Sequence, residues 1–384
     1  MFDNPFTPIF GGKPNFFFGR KSILARFGAA MLDKGSEDRA LLITGNRGCG
    51  KTALLEQLSQ RAKASGRKTI DANSESTVST IIRSLVRHSE ATQTIEPEIE
   101  MSVLGSGGKL HAGAISRTTR YDAADFEVLF VEACEKEKRG IFVSIDEIQK
   151  IAREDMALIC GAFQMASRKG YDVMIALAGL PYSHDALVHY EGCTYMRRST
   201  HVELGLFTPE EAREAFETAL SSVRGLTLDH DALSLLVEKS LGHPYVIQLL
   251  GYYLIARINE TTAANRYKIT TDDVKASAPL ALVAYERRAL APIVDALTKG
   301  ETDYLCAMAD SVDEAHVARS SGIAERLGKT AKQTSRIRDK MLREGIVISV
   351  GHGELMFNIP YLREYVKKGR DTQSNAALVQ QWRL

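Results

Sequence analysis

The sequence has 384 residues and a formal net charge of +1 at neutral pH, and it is 44% hydrophobic and 25% charged. These values are ordinary for a globular protein of two or three domains, and the balanced charge argues neither for nor against a polyanionic partner. No run approaches the roughly 18 apolar residues that span a bilayer, and the N-terminus lacks a basic segment followed by an apolar one, so we expect a cytoplasmic protein with no membrane association. The five cysteines are widely spaced without a CxxC pair, which favours reduced thiols over a disulfide framework or a zinc site.

Between residues 40 and 205, short apolar runs alternate with helical patterns, which predicts an α/β core of parallel strands joined by helices. The predicted strands are residues 40–44, 68–72, 141–145, 173–178 and 200–204. The predicted helices are residues 53–65, 77–88, 124–138 and 155–168. Residues 96–116 interrupt this alternation and predict an inserted hairpin or loop, for which a surface hairpin is favoured over a substrate-contacting loop.

Residues 45–52 have the sequence GNRGCGKT, which matches the phosphate-binding pattern G-x-x-x-x-G-K-[ST] between an apolar strand and an amphipathic helix. Glycines let successive backbone N–H groups point at phosphate oxygens, and the helix N-terminus adds partial positive charge. Lys51 is expected to reach the β and γ phosphates, and the Thr52 hydroxyl to bind Mg²⁺. Cys49, a thiol beside these donors, could have a lowered pKa. The expected contacts are Gly45, Asn46, Arg47, Gly48, Cys49, Gly50, Lys51, Thr52 and Ala53.

A second candidate element is the apolar strand 141–145, which runs directly into Asp146 and Glu147. Hydrolysis of a phosphoanhydride needs one carboxylate to hold hydrated magnesium and another to orient and deprotonate water. We assign Asp146 to magnesium and Glu147 to the water. The pattern alone is weak, because many strands run into a solvated acidic turn, but its position after the phosphate loop favours this assignment.

With these elements in place, the chain resembles AAA+ ATPases of the origin-recognition and STAND-like branch that carry a C-terminal winged helix. The segment Phe18-Gly19-Arg20 is similar to a family motif that packs against adenine, which implies that Gly19 and Arg20 contact the base. The resemblance also implies that Arg197 or Arg198 senses the γ-phosphate and that the lid motif at His243 and Pro244 faces the nucleotide. Either arginine could instead form a surface salt bridge.

The resemblance has gaps. Residues 173–181 read VMIALAGLP and supply no polar side chain at the end of the fourth strand, where many members place a γ-phosphate contact. The lid arginine of origin-recognition members is not evident either. These departures favour slow hydrolysis and a nucleotide-controlled switch. No N-K-x-D guanine-reading element occurs, so ATP with Mg²⁺ is the expected ligand pair.

The C-terminal region predicts a small DNA-binding module. Residues 321–328 and 330–344 have the pattern of a helix-turn-helix, and residues 346–358 form a candidate wing. Basic residues outnumber acidic ones along residues 329–344, which suits contact with phosphates, although such helices also dock on proteins or lie solvated. The candidate DNA contacts are Lys332, Gln333, Thr334, Arg336, Arg338 and Lys340.

The sequence therefore predicts an α/β P-loop NTPase core over residues 1–206, a helical lid over 207–298, and a winged-helix domain with a tail over 299–384. The favoured function is an ATP-hydrolysing switch that couples nucleotide state to double-stranded DNA. The alternative is a STAND-like signalling or defence ATPase whose winged helix binds a protein partner, and a loader-type or transposition-regulating ATPase would use the same core. Arg197 and Arg198 would act between subunits only in a homo-oligomer.

Overall fold

A computed structural model describes residues 1–9, 15–74, 77–86 and 123–369. The hairpin predicted at residues 96–116 lies outside the described residues, and so does most of the predicted C-terminal tail. None of the described helices combines the length and apolar character needed to cross a bilayer.

In the described part of the chain, five parallel strands form the central sheet in the order β2-β3-β4-β1-β5. The strands are β1 (Ala40–Gly45), β2 (Lys68–Ala72), β3 (Ile141–Ile145), β4 (Val173–Gly179) and β5 (Thr200–Leu204). The helices that accompany them are α1 (Lys21–Ala30), α2 (Lys51–Ala64), α3 (Thr77–Val86), α4 (Ala123–Lys136), α5 (Arg153–Arg168) and α6 (Ser183–Val188). Short 3-10 helices cover Glu37–Arg39, Ile148–Lys150 and Glu191–Arg198. The predicted α/β P-loop NTPase class is confirmed, with every predicted strand present.

Helices cover both faces of this sheet, which explains why its strands are apolar runs rather than alternating ones. Successive side chains of a strand point to opposite faces. Leu42 and Val143 accordingly join one buried cluster, and Leu41 and Phe142 join another on the opposite face. The order of the strands places the carboxyl ends of β1, β3 and β4 side by side, at the edge where the candidate site residues lie.

A helical group follows the sheet. It consists of α7 (Pro209–Ser221), β6 (Leu226–Leu228), α8 (His230–Ser240), α9 (Pro244–Thr261), β7 (Tyr267–Ile269), α10 (Thr271–Tyr285), a π-helical turn (Glu286–Leu290) and α11 (Ala291–Asp295). Helix α7 begins with a capping box, in which Thr208 and Glu211 satisfy each other's backbone N–H groups. The N-terminal segment lies along α9, where Phe6 packs against Gly251 and the Asn259 side chain bonds to the backbone of Phe2.

The last described elements include three helices and an antiparallel sheet. They are α12 (Lys299–Ser311), β8 (Ala318–Arg319), α13 (Ser320–Arg326), α14 (Ala331–Arg343), β9 (Val347–Gly351) and β10 (Glu354–Phe357), with the strand order β8-β10-β9. One continuous apolar cluster of described residues runs from the helical group into this module and includes Leu254, Tyr285, Tyr304 and Val347. The boundaries near residues 206 and 298 stay predictions.

Candidate nucleotide site and basic helix

The phosphate loop connects the end of β1 to the start of α2 and is shaped by two glycines in the left-handed region. Gly48 and Gly50 have φ angles of 79° and 95°. A Cβ at Gly48 would lie 2.6 Å from Cε1 of His243, so a side chain has no room there. Lys51 is 6% exposed, and its Nζ donates hydrogen bonds to the carbonyl oxygens of Gly45 at 2.8 Å and Asn46 at 2.9 Å. The Lys51 side chain therefore folds back across the loop and bonds to its first two residues.

The acidic pair lies beside the loop because β3 and β1 end at the same edge of the sheet. The Thr52 hydroxyl donates to Oδ2 of Asp146 at 2.5 Å, and the backbone N–H of Glu147 donates to Oδ1 of Asp146 at 2.8 Å. A hydroxyl and a carboxylate oxygen side by side are the hard ligands that Mg²⁺ prefers, with water filling its remaining positions. The donor set at Thr52 and Asp146 thus fits the predicted magnesium site.

Glu147 adopts a strained backbone conformation and its carboxylate is held in place. Its φ angle is 54°, in the left-handed region that few residues other than glycine occupy. Nε2 of Gln149 donates a short hydrogen bond to Oε2 of Glu147, and Oε1 of Gln149 accepts from the backbone N–H of Leu180 at 3.2 Å. Sequence reasoning missed Gln149, whose only signal is its place two residues after the acidic pair.

A cavity of about 460 Å³ opens beside the loop and the acidic pair, a volume within the usual range of small-ligand sites. Residues 47–53, Asp146 and Glu147 line its polar end. Its apolar lining consists of Phe16, Phe17, Phe18, Phe207 and Ile247. An aromatic and aliphatic wall beside a phosphate loop is suited to a flat purine ring. Most of these residues were missed, although the run of three phenylalanines was a visible signal.

Arg20 and Pro244 lie at the cavity wall as expected, whereas Gly19 acts through backbone geometry. The guanidinium of Arg20 stacks over the Phe207 ring, 5.0 Å from its centroid, and bonds to the carbonyl of Gly205. Gly19 has a φ of 66°, and a Cβ there would lie 2.9 Å from Oε1 of Glu211. Gly19 thus lets the chain turn so that Arg20 reaches Phe207.

His243 does not face the cavity, which corrects the prediction. It is 2% exposed, its Nε2 lies 3.2 Å from the carbonyl oxygen of Arg47, and Tyr285 packs edge-on against its ring at 5.5 Å. Burial lowers its pKa from 6.5 to about 4, which keeps the ring neutral at physiological pH. His243 supports the loop from behind. The lid motif thus packs this side chain against the back of the phosphate loop and not against the ligand.

Gly45 and Asn46 also lie on the far side of the loop, where they line a smaller cavity with residues of the C-terminal module. The Asn46 amide donates to the carbonyl oxygen of Asn358 at 3.3 Å, just after β10. A Cβ at Gly345, just after α14, would lie 2.6 Å from Oδ1 of Asn46 and 2.9 Å from Cγ of Pro181. The phosphate loop and the end of β4 therefore both touch the C-terminal module.

Neither Arg197 nor Arg198 lies in the cavity, so within one chain the predicted contact with the γ-phosphate is not formed. Both side chains are exposed at the end of the 3-10 helix before β5. Nε of Arg197 donates to the carbonyl oxygen of Val188 at 2.8 Å. Only Cys193 and Met196 of this helix are buried, so the rest of the segment lies on the protein surface. A role in a neighbouring subunit stays a prediction.

The Cys49 thiol is not activated. It is 4% exposed and packs against Gly45 and Leu204, and burial raises its pKa in spite of the nearby positive charges of Lys51 and Arg20. The sequence-based expectation of a lowered pKa considered the helix terminus and overlooked the packing.

Helix α14 confirms the predicted position of the basic helix but not the predicted set of DNA contacts. Thr334 is 2% exposed and donates to the carbonyl of Ala331, so it cannot reach a base edge. Oε1 of Gln333 accepts hydrogen bonds from the backbone N–H and hydroxyl of Thr330 in a capping box, which commits this oxygen to the helix start. These polar residues serve the helix itself.

The basic residues of α14 fall into two groups. Nζ of Lys340 bonds to Oε1 of Glu301 at 2.8 Å, and Arg338 pairs with Asp339 at 2.9 Å. Lys332 and Arg336 are exposed, and their spacing of four residues places them on one helical face. Lys340 thus holds α14 to α12, and the exposed face at Lys332 and Arg336 is the better candidate for contact with phosphates.

Comparison with known proteins agrees with this geometry. Residues 17–175 match the family model described as "AAA ATPase domain". This segment is similar to AAA ATPase domains. The matched range includes the phosphate loop, Asp146 and Glu147, and ends within β4. Residues 288–366 match a second family model, which is described only as a domain of unknown function. No curated protein matches the chain.

Solved structures of archaeal proteins share the fold of this segment and of the elements that follow it. The ORC2 protein of Aeropyrum pernix in its ADPNP-ADP complexes matches with a TM-score of 0.63 and 14% identity, over 95% of this chain and 97% of that one. The ADP form of that protein gives a TM-score of 0.56 and 15% identity over 90% and 91%. Cdc6p from Pyrobaculum aerophilum gives 0.50 and 15% over 91% and 93%. At these identities the likeness is one of fold.

Proposed function

We propose that this protein is an ATP-binding and ATP-hydrolysing switch whose nucleotide state controls contact with double-stranded DNA through a C-terminal winged helix. The observation that best supports this proposal is the convergence of four polar residues at one edge of the sheet, beside a cavity with an apolar wall. These residues are Lys51, Thr52, Asp146 and Glu147. The ORC2 structure described as an ADPNP-ADP complex supports an adenine nucleotide in such a fold.

Each polar group at this edge has a role that follows from its chemistry. The loop N–H groups and the α2 terminus bind the phosphates, and Lys51 exchanges its carbonyl partners for the β and γ oxygens. Thr52 and Asp146 hold the metal, which neutralises charge on the phosphoryl group when it is bound. Glu147 orients the attacking water and accepts its proton. The attack releases ADP and inorganic phosphate.

Slow turnover is part of the proposal. In the described structure, β4 ends at Gly179 and is followed by Leu180 and Pro181, which offer no side-chain donor to the γ-phosphate. Arg197 and Arg198 are exposed on the surface, so charge stabilisation by either of them requires a second subunit. A single chain would therefore bind ATP well and hydrolyse it slowly, as suits a switch.

Contacts across the back of the loop support coupling to the C-terminal module, which we interpret as a winged helix with α14 as its reader. Asn46 of the loop bonds to Asn358, whose own amide donates to the carbonyl oxygen of Gly345 at 3.1 Å. Gly345 lies two residues after the end of α14. A change in loop conformation on nucleotide binding would therefore be transmitted through these hydrogen bonds to the C-terminal end of α14.

The test is a titration of labelled duplex DNA with ATP, ADP and no nucleotide at several salt concentrations. Three or four phosphate contacts predict a log–log slope of roughly −3 to −4 for affinity against salt. We expect the affinity to differ between ATP and ADP by roughly 5-fold or more, in the range of ordinary coupling energies. Affinity that is absent at low salt would exclude the DNA-binding part of the proposal.

A protein partner is the second candidate, and the wing favours it. Ile348 and Val350 of β9 are 40% and 45% exposed, which gives this strand an apolar outer surface. In that case the module would bind a protein and the ATP state would govern assembly. ATP turnover without measurable DNA affinity, together with a nucleotide-dependent change in sedimentation, would select this candidate.

A further inference from the structure

Gln149 links two parts of the nucleotide site that the sequence treats as separate. Its amide nitrogen donates to Oε2 of Glu147, and its amide oxygen accepts from the backbone N–H of Leu180 at 3.2 Å. One side chain therefore spans from the acidic pair after β3 to the chain after β4. Because a side-chain amide has both a donor and an acceptor, it can make both contacts at once.

The backbone around Gln149 is built for this span. Ile148 is 5% exposed and lies so close to β4 that a Cβ at Gly179 would be 2.6 Å from its Cγ1. The 3-10 turn Ile148–Lys150 is thereby pressed onto the end of β4, and the positive φ of Glu147 directs the chain into that turn. This packing leaves the amide of Gln149 little freedom to place its two hydrogen bonds elsewhere.

We propose that Gln149 is a positioning residue that holds the Glu147 carboxylate in place for its role in the attack by tying it to the chain after β4. With Oε2 engaged by the amide, Oε1 of Glu147 is left to accept the proton of the attacking water. As that proton moves to Glu147, the water oxygen bonds to the γ-phosphorus and the bond to the β–γ bridging oxygen breaks. The inference rests on the proposed ATP hydrolysis.

The two bonds of Gln149 can be separated by mutation. Gln149→Glu keeps an oxygen that can accept from Leu180 but replaces the donor to Glu147 with a second carboxylate. Gln149→Ala removes both bonds. In both variants we expect kcat to fall on the order of 10- to 100-fold, because small displacements of a reacting group have effects of that size. The dissociation constant for ATP should change less than about 3-fold, since Gln149 does not line the cavity.

The pH–rate profile separates positioning from a general structural effect. Two neighbouring carboxylates disfavour each other's ionised forms, so the acid limb of the Gln149→Glu profile should move to higher pH. The Gln149→Ala profile should move in the same direction but by less, because that variant loses the donor to the carboxylate without gaining a second negative charge. A loss of stability alone would lower the amplitude without moving the limb.

The control is Gln60→Glu in α2, where the Gln60 amide donates to Oε1 of Glu56 at 2.6 Å. It makes the same chemical change in a glutamine–glutamate pair away from the site, and it should leave kcat and the profile unchanged. A Gln149→Glu protein that binds ATP and matches wild type in kcat and profile would overturn the role of Gln149. Absence of turnover in wild type itself would overturn the hydrolysis on which it depends, and ATP binding by calorimetry keeps the two failures apart.

Discussion

The nucleotide site and helix α14 both carry the polar residues that the sequence singles out, but they hold them differently. At the sheet edge, backbone topology brings the groups together, and the Asp146 carboxylate accepts hydrogen bonds from the Thr52 hydroxyl and the Glu147 backbone N–H. On α14 the charges share one helix, and Lys340 is committed to the internal partner Glu301. A motif with fixed spacing between a strand and a helix predicts where its side chains go, whereas a count of charges does not reveal their partners.

The largest effect should come from the acidic pair. We expect Glu147→Gln to bind ATP with near wild-type affinity and to lower kcat by roughly 10²- to 10⁴-fold, the range for loss of a general base. Steady-state phosphate release with calorimetric ATP binding measures both. Glu154→Gln, on the exposed surface of α5, is the matched control. Turnover at the wild-type rate in Glu147→Gln would assign the base elsewhere.

The next effect concerns binding. Lys51→Ala removes a charged donor at the loop mouth, and the loss of such a hydrogen bond weakens ATP binding by about 1.5–3 kcal/mol, or roughly 10- to 150-fold. Calorimetry with ATP and Mg²⁺ measures this loss. Lys63→Ala, an exposed position near the end of the same helix, should bind as wild type does. Equal affinities for the two variants would contradict the assigned loop.

The support behind the loop should appear as pH-dependent stability. Because burial lowers the pKa of His243 from 6.5 to about 4, the unfolded state binds more protons between these values. Stability is therefore complete above pH 6.5 and is lost as pH falls toward 4, by on the order of 2–3 kcal/mol. Urea unfolding at pH 7 and 4.5 should show this loss in wild type and a smaller one in His243→Gln. The exposed His230→Gln variant should behave as wild type does.

The smallest effect should come from α14. Lys332→Ala combined with Arg336→Ala should reduce DNA affinity about 10-fold and lower the salt slope by about 2, because each phosphate contact contributes about 0.9 to it. Arg338→Ala should matter less, since that arginine already pairs with Asp339. Fluorescence anisotropy on a labelled duplex at three salt concentrations compares them. A larger loss in Arg338→Ala would assign the phosphate contacts to the paired residues instead of the exposed ones.

The sequence predicted the strands, the phosphate loop and the acidic pair because each is a local pattern with its own backbone requirement. Gly48 illustrates the limit of such patterns. The side chain that leaves no room for a Cβ at this position belongs to His243, which lies far along the chain. The role of Gln149 likewise depends on its hydrogen bond with the distant Leu180. The burial of Thr334 also depends on residues outside its own helix. These roles arise from contacts between elements, and a single sequence carries no direct record of such contacts.

The apolar cluster that joins the helical group to the C-terminal module has a practical consequence for dissection of the protein. Ending the chain near residue 298 would remove the Tyr361 ring that packs against Tyr285 and would uncover the apolar cluster around Tyr285, which is now 1% exposed. A fragment with that surface in water is expected to aggregate rather than to report on the ATPase alone. The shared cluster also means that the helical group and the C-terminal module should unfold in a single cooperative transition and should move together relative to the sheet.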